Sequence, residues 1–302
     1  VLRKSCQATP KMSKSSILLF SLAVSGACAL LVEQVSLSFG SSPSEMVVSF
    51  AASTDETTAE CRYGTDPDNL SNTVTATGSK YSMLNYTSPM LFKASMTDLK
   101  DGNEIYYYSV GSETLGFSEP KPFKSHPGVG VEDVTFHIFG DIGQTNNSQS
   151  TLAELVSYES DLTGKSGGII SMGDLSYANG NQPEWDTFGN FVTYASDHIP
   201  MLTTLGNHEW FDSPNHDFKA YLARFTNPPV ASGERELYYS FDSGLVHWVM
   251  IAGYCQNMWT VRTQPCLAEG SPQMDWLTKD LAAVDRAVAP WVIAVFHQPY
   301  VN

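Results

Sequence analysis

Two patterns of hydrophobic and polar residues divide the chain. From Glu33 to about residue 123, short runs of β-branched and aromatic residues alternate with polar residues and are separated by turns. Examples are Gln34–Phe39, Glu45–Phe50 and Ile105–Val110. Apolar residues at every second position are typical of strands with one buried face, and no helical period persists in this region. Many short strands separated by turns predict a β-sandwich at 33–125.

The second part of the chain, 133–302, has longer apolar runs with helical stretches between them. Five of these runs are predicted to be buried strands: Val134–Phe139, Gly168–Met172, Pro200–Leu205, His247–Ala252 and Trp291–Phe296. A helix is predicted within 271–287, where Ser271 can cap the first turn and Pro272 suits the first helical position. Strands that alternate with helices indicate an α/β sheet covered on both faces. The Pro- and Gly-rich stretch at 120–130 marks the boundary between the two domains.

The first 29 residues are predicted not to belong to the folded protein. Residues 1–11 lie upstream of Met12, a candidate initiator. A short basic start, an apolar run from Ile17 and small residues up to Ala29 predict a secretory signal peptide. The apolar run of 16 residues is shorter than the ~20 that span a bilayer, so no membrane span is expected after processing. An uncleaved signal anchor is the alternative. We therefore expect secretion, or a vacuolar or lysosomal-type compartment.

Composition and charge narrow the possible functions. The 302 residues suffice for two domains, and 42% hydrophobic residues can build a core in each. The formal net charge is −15, and loss of residues 1–29, which carry four basic and no acidic residues, makes it −19. A nucleic-acid-binding protein needs a basic surface, so this class is excluded. The oligomeric state is left open, with a homodimer as one possibility.

Cysteines and glycosylation sequons fit an oxidising compartment. After signal-peptide removal three cysteines remain, and Cys255 and Cys266 are close enough in sequence to form a disulfide. Cys61 is then either buried and unreactive or paired with a cysteine outside this chain. Three Asn-x-Ser/Thr sequons, which are candidates for glycosylation, start at Asn69, Asn85 and Asn146.

Metal-binding residue types follow four of the predicted strands. Ligands of α/β folds bind beyond the carboxyl ends of the strands, so the residues after each apolar run are candidates for a site. These residues are Asp141, Asp174 with Tyr177, Asn207 with His208 and Glu209, and His297. Three of the four segments have a glycine just before the donor, where we expect a sharp turn without a Cβ. Taken singly, each residue has a structural explanation as a turn, a cap or a packed side chain. Donors at four strand ends together favour a metal site.

The donor types indicate which metals fit. Oxygen donors with one imidazole suit hard or borderline ions. Two carboxylates in one pocket repel each other unless cations lie between them, and Asp141 or Asp174 could bridge two metals ~3.5–4 Å apart. The phenol of Tyr177 has an ordinary pKa of ~10, so its use as a ligand requires a strongly Lewis-acidic ion. Iron(III) fits this requirement better than Mg²⁺ or Zn²⁺.

The four segments resemble the ordered motifs of the calcineurin-like metallophosphoesterases. They read Gly140-Asp-Ile-Gly, Gly173-Asp-Leu-Ser-Tyr and Gly206-Asn-His-Glu, followed by the strand that ends at His297. Tyr177, where most of that superfamily has another residue, is similar to the purple acid phosphatases. The resemblance covers roughly 33–302 and implies an α+β two-domain protein. In it, a fibronectin-type-III-like N-terminal β-sandwich (33–125) precedes an α/β metallophosphoesterase sandwich (133–302) that is expected to be incomplete at its C-terminus.

The resemblance also implies a site and a reaction. Asp141 and Tyr177 would bind iron(III), Asp174 would bridge to a divalent ion (zinc, manganese or iron), and Asn207 and His297 would complete the divalent site. His208 would act on the substrate, and Glu209 would be an outer partner that orients His208. The implied reaction is hydrolysis of a small phosphate monoester by a metal-activated hydroxide at acid pH.

One departure from the family pattern matters. The family has a further Gly-His-x-His motif that completes both metal shells, and none of the histidines of this chain lies in such a pair. We therefore expect the chain to be truncated at its C-terminus and inactive by itself. Two alternatives to a monoesterase remain: a phosphodiesterase or sugar-nucleotide hydrolase of the same fold, and a secreted, non-catalytic binding protein.

Overall fold

A computed structural model describes residues 32–214, 217–228, 237–254 and 265–298. The predicted signal peptide and Cys255 lie outside the described residues, so secretion and the Cys255–Cys266 disulfide stay predictions. Within the described ranges, no helix combines the length and the apolar character that crossing a membrane requires.

The described residues form an N-terminal β domain followed by an α/β domain, as predicted. The strands of the β domain are β1 (Val32–Phe39), β2 (Met46–Ala52), β3 (Thr58–Gly64), β4 (Asn72–Ser79), β5 (Ser82–Met83), β6 (Tyr86–Thr87), β7 (Met90–Met96), β8 (Ile105–Ser112), β9 (Gly116–Phe117) and β10 (Lys121–Lys124). Those of the α/β domain are β11 (Val134–Phe139), β12 (Lys165–Met172), β13 (Met201–Thr204), β14 (Tyr239–Ser243), β15 (Val246–Met250) and β16 (Trp291–Val295). The helices are α1 (Asn146–Ser160), α2 (Pro183–Ser196), α3 (Asn207–Phe211), α4 (Lys219–Arg224) and α5 (Pro272–Ala283).

The β domain is one connected antiparallel sheet in the order β1-β2-β7-β4-β3-β8-β10, with β9 beside β8 and a separate β5–β6 hairpin. Only three residues of β4, 77–79, pair with β7, so β1-β2-β7 and β4-β3-β8-β10 are joined at one short contact. Stacked Phe50 and Phe92, with ring centroids 4.9 Å apart, lie in the core. The finer prediction of a fibronectin-type-III-like sandwich stays a prediction.

Cys61 of β3 lies in this core and is completely buried. Burial raises the pKa of its thiol to about 12, because the apolar surroundings disfavour the thiolate. This agrees with the first of its two predicted states, a buried and unreactive cysteine. The sequon asparagines Asn69, Asn85 and Asn146 are all exposed. Glycosylation itself stays a prediction.

The α/β domain contains two sheets, in agreement with the α/β sandwich that the resemblance implied. Strands β11, β12 and β13 form a parallel three-stranded sheet, and β14, β15 and β16 form a second sheet in which β14 is antiparallel. The prediction that all five apolar runs are buried is wrong for β11 and β16. No residue of β11 is fully buried and its Ile138 is exposed, and in β16 Trp291 is 65% exposed and Ile293 is also exposed. Since both are edge strands in the described parts of their sheets, an apolar run does not by itself ensure burial.

The two domains meet along β1 and α2. A β-bulge between Glu33 and Ser36 places Gln34 at φ 56° and turns backbone groups of β1 toward α2. The carbonyl of Val35 accepts hydrogen bonds from Thr193 and Ser196 of α2. A twisted edge strand of one domain is thereby covered by a helix of the other.

His247 links strands β14 and β15 of the second sheet to helix α5. From β15, its Nδ1 lies 2.7 Å from Asp242 Oδ1 of β14, and its Nε2 lies 2.9 Å from Asp280 Oδ2 of α5. Burial disfavours the imidazolium, but the two carboxylates outweigh burial and raise the pKa of His247 to about 9. α5 begins as predicted, with the Ser271 hydroxyl accepting from the Met274 N–H and Pro272 at its first position, but it ends at Ala283.

We predict that this histidine makes stability dependent on pH. Because its folded pKa lies above the ordinary 6.5, its contribution is fully present below pH 6.5 and is lost as pH rises through about 9. His247→Gln should therefore lower the free energy of unfolding on the order of 2–3 kcal/mol at pH 6 and much less at pH 10. Urea denaturation at both pH values measures this. His198→Gln, at a more exposed histidine with one carboxylate partner, is the control and should cost less. An equal loss at both pH values would contradict the prediction.

Candidate metal centre

The loops after β11 and β12 lie side by side because their strands are parallel neighbours. The N–H of Asp141 donates to the carbonyl of Gly173 at 3.0 Å, and the N–H of Gly143 donates to the carbonyl of Leu175 at 2.9 Å. β12 and β13 are paired in the same direction, so the start of α3 reaches the same edge of the sheet. Three of the four predicted segments are therefore brought together by sheet topology.

The predicted ligands converge at this edge. Asp141, Asp174 and His297 each offer one donor atom, and these atoms all lie within 4.8 Å of one another. The hydroxyl of Tyr177 donates to Asp141 Oδ1 at 3.0 Å. His297 comes from the end of β16 in the other sheet, so the cluster lies where the two sheets meet.

Helix α3 brings His208 to the cluster, whereas among the described residues no hydrogen bond joins the Asn207 side chain to another predicted ligand. Asn207 is the first residue of α3, and the backbone N–H of His208 donates to Asp174 Oδ1 at 2.9 Å. The His208 ring lies beside that of Tyr177, with centroids 4.2 Å apart, and its Nε2 is 3.7 Å from Asp174 Oδ2. Asp174 is thus at the centre, since it contacts both His208 and His297.

Close backbone approach explains two of the three glycines that precede donors. Gly173 has φ 83°, and a Cβ there would lie 2.6 Å from the nitrogen of Gly206. A Cβ on Gly206 would lie 2.1 Å from Asp174 Oδ1. The expectation is wrong for Gly140, whose Cβ would meet only ordinary contacts to Met172 at 3.5 Å. There the left-handed backbone is at Asp141 itself.

Left-handed backbone conformations concentrate at the site. Asp141, Asp174, Tyr177 and Asn179 have φ values of 56°, 51°, 55° and 51°. Such conformations cost of order 1–3 kcal/mol each and persist only where surrounding contacts hold them. Contacts around the site therefore hold these four residues in conformations that they rarely adopt by themselves.

The electrostatics favour a bound cation. Burial opposes ionisation of Asp174, but hydrogen bonds from His297 and from the His208 N–H prevail, and its pKa lies below the ordinary value. The hydrogen bond to Asp174 raises the pKa of His297 to about 9 against the effect of burial. Burial and the neighbouring Asp141 carboxylate raise the pKa of Tyr177 above its usual range. The carboxylates of Asp141 and Asp174 thus favour the protonated forms of Tyr177 and His297, the two groups that a bound cation would contact in place of those protons.

The donor types and the orientation of His297 suit a bound metal ion. His297 Nδ1 donates to the carbonyl of Met172 at 2.8 Å, which directs Nε2 toward Asp174 Oδ2 at 3.3 Å. A neutral imidazole with its proton on Nδ1 presents the Nε2 lone pair to a metal, a common arrangement of ligating histidines. Two carboxylates, a phenol and this imidazole form a mixed oxygen and nitrogen set that suits iron and zinc. A cavity of about 640 Å³, measured on the described residues, opens beside Asp141 and Tyr177.

Glu209 has partners other than the predicted one. It is buried, and its carboxylate accepts from the backbone N–H groups of Asp174 (2.9 Å), Leu175 (2.8 Å) and Gly206 (2.7 Å). Burial raises its pKa to about 7 despite these donors. The expectation that Glu209 orients His208 is therefore wrong, because its oxygens are directed to backbone amides. Glu209 instead joins the loop of Asp174 to the start of α3.

The partner of His208 is a residue that the motif analysis missed. The Asn179 side-chain oxygen pairs with His208 Nδ1, which assigns the proton to that nitrogen and leaves Nε2 facing the cluster. Asn179 and Gly180 form an Asn-Gly pair, a dipeptide that favours turns and left-handed backbone. This Asn-Gly pair begins two residues after Tyr177 and could have indicated the turn from the sequence.

Comparison with known proteins identifies two matching family models. Residues 32–125 match the model described as "Purple acid Phosphatase, N-terminal domain", and residues 134–301 match "Calcineurin-like phosphoesterase". The second match alone covers more than half of the chain.

Relatives and a solved structure agree with these models. The chain is 33% identical to purple acid phosphatase 22 of Arabidopsis thaliana, over 85% of this chain and 55% of that protein. It is 34% identical to Fe(3+)-Zn(2+) purple acid phosphatase 12 of the same plant, over 74% and 46%. A purple acid phosphatase from yellow lupin seeds has the same fold, with a TM-score of 0.72 at 21% identity, over 87% of this chain and 50% of that chain. The chain spans about half the length of these relatives.

The position of Glu209 predicts its effect on metal binding. Glu209→Ala should leave three buried N–H groups without an acceptor and release the two loops that carry Asp174 and Asn207. Metal affinity should fall about 10–100-fold, as measured by competition with a chelator. Glu154→Ala, on the exposed face of α1, is the control and should not change affinity. Unchanged affinity in the Glu209 variant would show that the loops hold without it.

Proposed function

Since this chain belongs to the purple acid phosphatases, within the calcineurin-like phosphoesterases, we propose that the protein hydrolyses small phosphate monoesters at a binuclear metal centre. The proposed metals are Fe(III) and a divalent ion, which is zinc, manganese or iron. The observation that supports this best is the Tyr177 hydroxyl on Asp141, inside the cluster with Asp174 and His297. The printed name of an Fe(3+)-Zn(2+) relative supports the choice of metals.

Each ligand has a proposed place. Asp141 and Tyr177 would hold the Fe(III), and His297 and Asn207 would hold the divalent ion. Asp174 would bridge the two ions, because it is buried between His297 and the start of α3. When bound, the ions supply neutralisation of the phosphate charge and a water acidic enough to act as the nucleophile.

His208 is proposed to act on the substrate. Its backbone is held by Asp174 and its Nδ1 by Asn179, so Nε2 is available at the edge of the cluster. From that position Nε2 can bind a phosphate oxygen or hold a proton for the leaving alcohol. Asp174 accepts from the His208 backbone N–H and so would help to hold the partly exposed ring beside a bound phosphate, and phosphoryl transfer depends mainly on such positioning.

Secretion completes the proposal. The predicted signal peptide and the exposed sequons Asn69, Asn85 and Asn146 support an extracellular, vacuolar or lysosomal-type glycoprotein. An acidic compartment would suit a hydrolase whose surface carries a charge of −19. Mass spectrometry of the secreted protein would reveal both the mature N-terminus and any glycans.

The choice of substrate and the role of Asp174 can be tested together. We expect a metal-loaded form of the protein that also contains the Gly-His-x-His motif to hydrolyse p-nitrophenyl phosphate at least about 10-fold faster than bis-p-nitrophenyl phosphate. Asp174→Ala should lower monoester turnover by more than about 10²-fold, since it removes the central carboxylate. Asp68→Ala, an exposed residue of the β domain, is the control. Preference for the diester would favour a phosphodiesterase, and full turnover by Asp174→Ala would reject the site.

Tyr177 provides a spectroscopic test. A phenolate bound to Fe(III) absorbs visible light, so the iron-loaded protein should be coloured and Tyr177→Phe should lose that band. Tyr254→Phe is the control, because Tyr254 lies near His297, with ring centroids 6.4 Å apart, but outside the cluster. A colourless iron-loaded protein with the native Tyr177 would indicate an ordinary metallophosphoesterase.

A further inference from the structure

A hydrogen-bond path leads from the β domain to the loop that carries Tyr177 and Asn179. Tyr81, buried beside the β5–β6 hairpin, donates from its hydroxyl to Gln182 Oε1 at 2.9 Å. Gln182 directly precedes α2 and is itself buried. A residue of one domain thus contacts the end of the site loop in the other.

The path continues to the end of helix α3. Gln182 Nε2 donates to Asp212 Oδ2 at 3.0 Å, and the Trp185 indole donates to the same oxygen at 2.8 Å. The other oxygen, Asp212 Oδ1, accepts from the backbone N–H of Gly180 at 3.0 Å. Asp212 is the residue that follows α3, which begins with Asn207. One buried carboxylate therefore joins the site loop to the helix that carries His208.

The joined loop contains two residues with unfavourable backbone geometry. Tyr177 and Asn179 have positive φ, of 55° and 51°, and are followed by Gly180, which tolerates its φ of 92° because it has no Cβ. Asn179 is paired with His208, and Gly180 is paired with Asp212. A loop of this kind relaxes unless its surroundings hold it, so these two contacts determine where Asn179 places the His208 ring.

We propose that the β domain helps to position the catalytic site: Tyr81, acting through Gln182 and Asp212, holds the loop 177–182 against α3 and so positions His208. Tyr81, Gln182 and Asp212 are positioning residues and contact no predicted ligand. The effect on catalysis rests on the proposed function of His208. The mechanical part of the proposal, that a β-domain hydroxyl protects the Gly180 N–H, does not.

Tyr86 on the same hairpin provides a matched control. Its hydroxyl donates to Asp186 Oδ2 at 2.8 Å and accepts from Arg224 at 2.9 Å. Tyr81 also lies near Arg224, with its hydroxyl 3.4 Å from the guanidinium. Both tyrosines therefore contact Arg224 at the domain interface, and only Tyr81 bonds to Gln182. Tyr→Phe at each position removes one hydroxyl from the same interface.

Amide hydrogen exchange of Gly180 tests the mechanical step before any metal is added. Tyr81→Phe should raise the exchange rate of the Gly180 N–H about 5-fold, the factor expected from the loss of one buried hydrogen bond. Tyr86→Phe should leave that rate within 2-fold, although it should lower the unfolding temperature by about as much as Tyr81→Phe does. Equal exchange rates in the two variants, or an unchanged rate in Tyr81→Phe, would overturn the proposal.

A second variant and the kinetics complete the test. Gln182→Met should raise Gly180 exchange as Tyr81→Phe does, and the double variant should add little, because both changes interrupt one path. In the metal-loaded protein, Tyr81→Phe should lower kcat about 5-fold with KM within 2-fold, and Tyr86→Phe should change neither. An additive double variant or an unchanged kcat would contradict the proposal. The kinetic measurements use the form that also contains the Gly-His-x-His motif. Absence of phosphatase activity in that form without substitutions would reject the proposed function alone, since exchange still reports on the path.

Discussion

The buried carboxylate of Asp174 is the group on which the site depends. A negative charge removed from water is stable only when donors surround it, and here the His208 N–H and the His297 imidazole do so. Asp174 thereby links the loop after β12 to the start of α3 and to the end of β16. The same charge draws a proton onto His297, and a bound cation would replace that proton.

Backbone contacts hold this carboxylate in place. Gly173 and Gly206 allow two loops to approach more closely than any side chain would permit, and Glu209 bonds to amides on both sides of the contact. The left-handed residues of the loops store strain that these contacts offset. Backbone contacts therefore fix the positions of the two loops, and the loops in turn fix the positions of the candidate ligands.

The order of domains, most strand positions and the convergence of Asp141, Asp174, Tyr177 and His297 could be predicted from the chain. Metal binding by these residues and by Asn207 stays a prediction. Donors at successive strand ends are visible in sequence because parallel strands deliver them to one edge. The role of Glu209 could not be predicted, since three backbone N–H groups carry no sequence signal. Neither could the exposure of Trp291 on β16, because an apolar strand looks the same at the centre and at the edge of a sheet.

The sequence by itself determined the chemistry: which residues carry oxygen and nitrogen donors, their order along the chain and the family to which they belong. Residue type and spacing are local properties, so they can be read directly. Only the tertiary structure decided that Asp174 is central, that Asn179 pairs with His208 and that Tyr81 is linked to the site through Gln182. Tyr81 and Gln182, for example, are 101 positions apart, and chain folding alone brings such residues into hydrogen-bond distance.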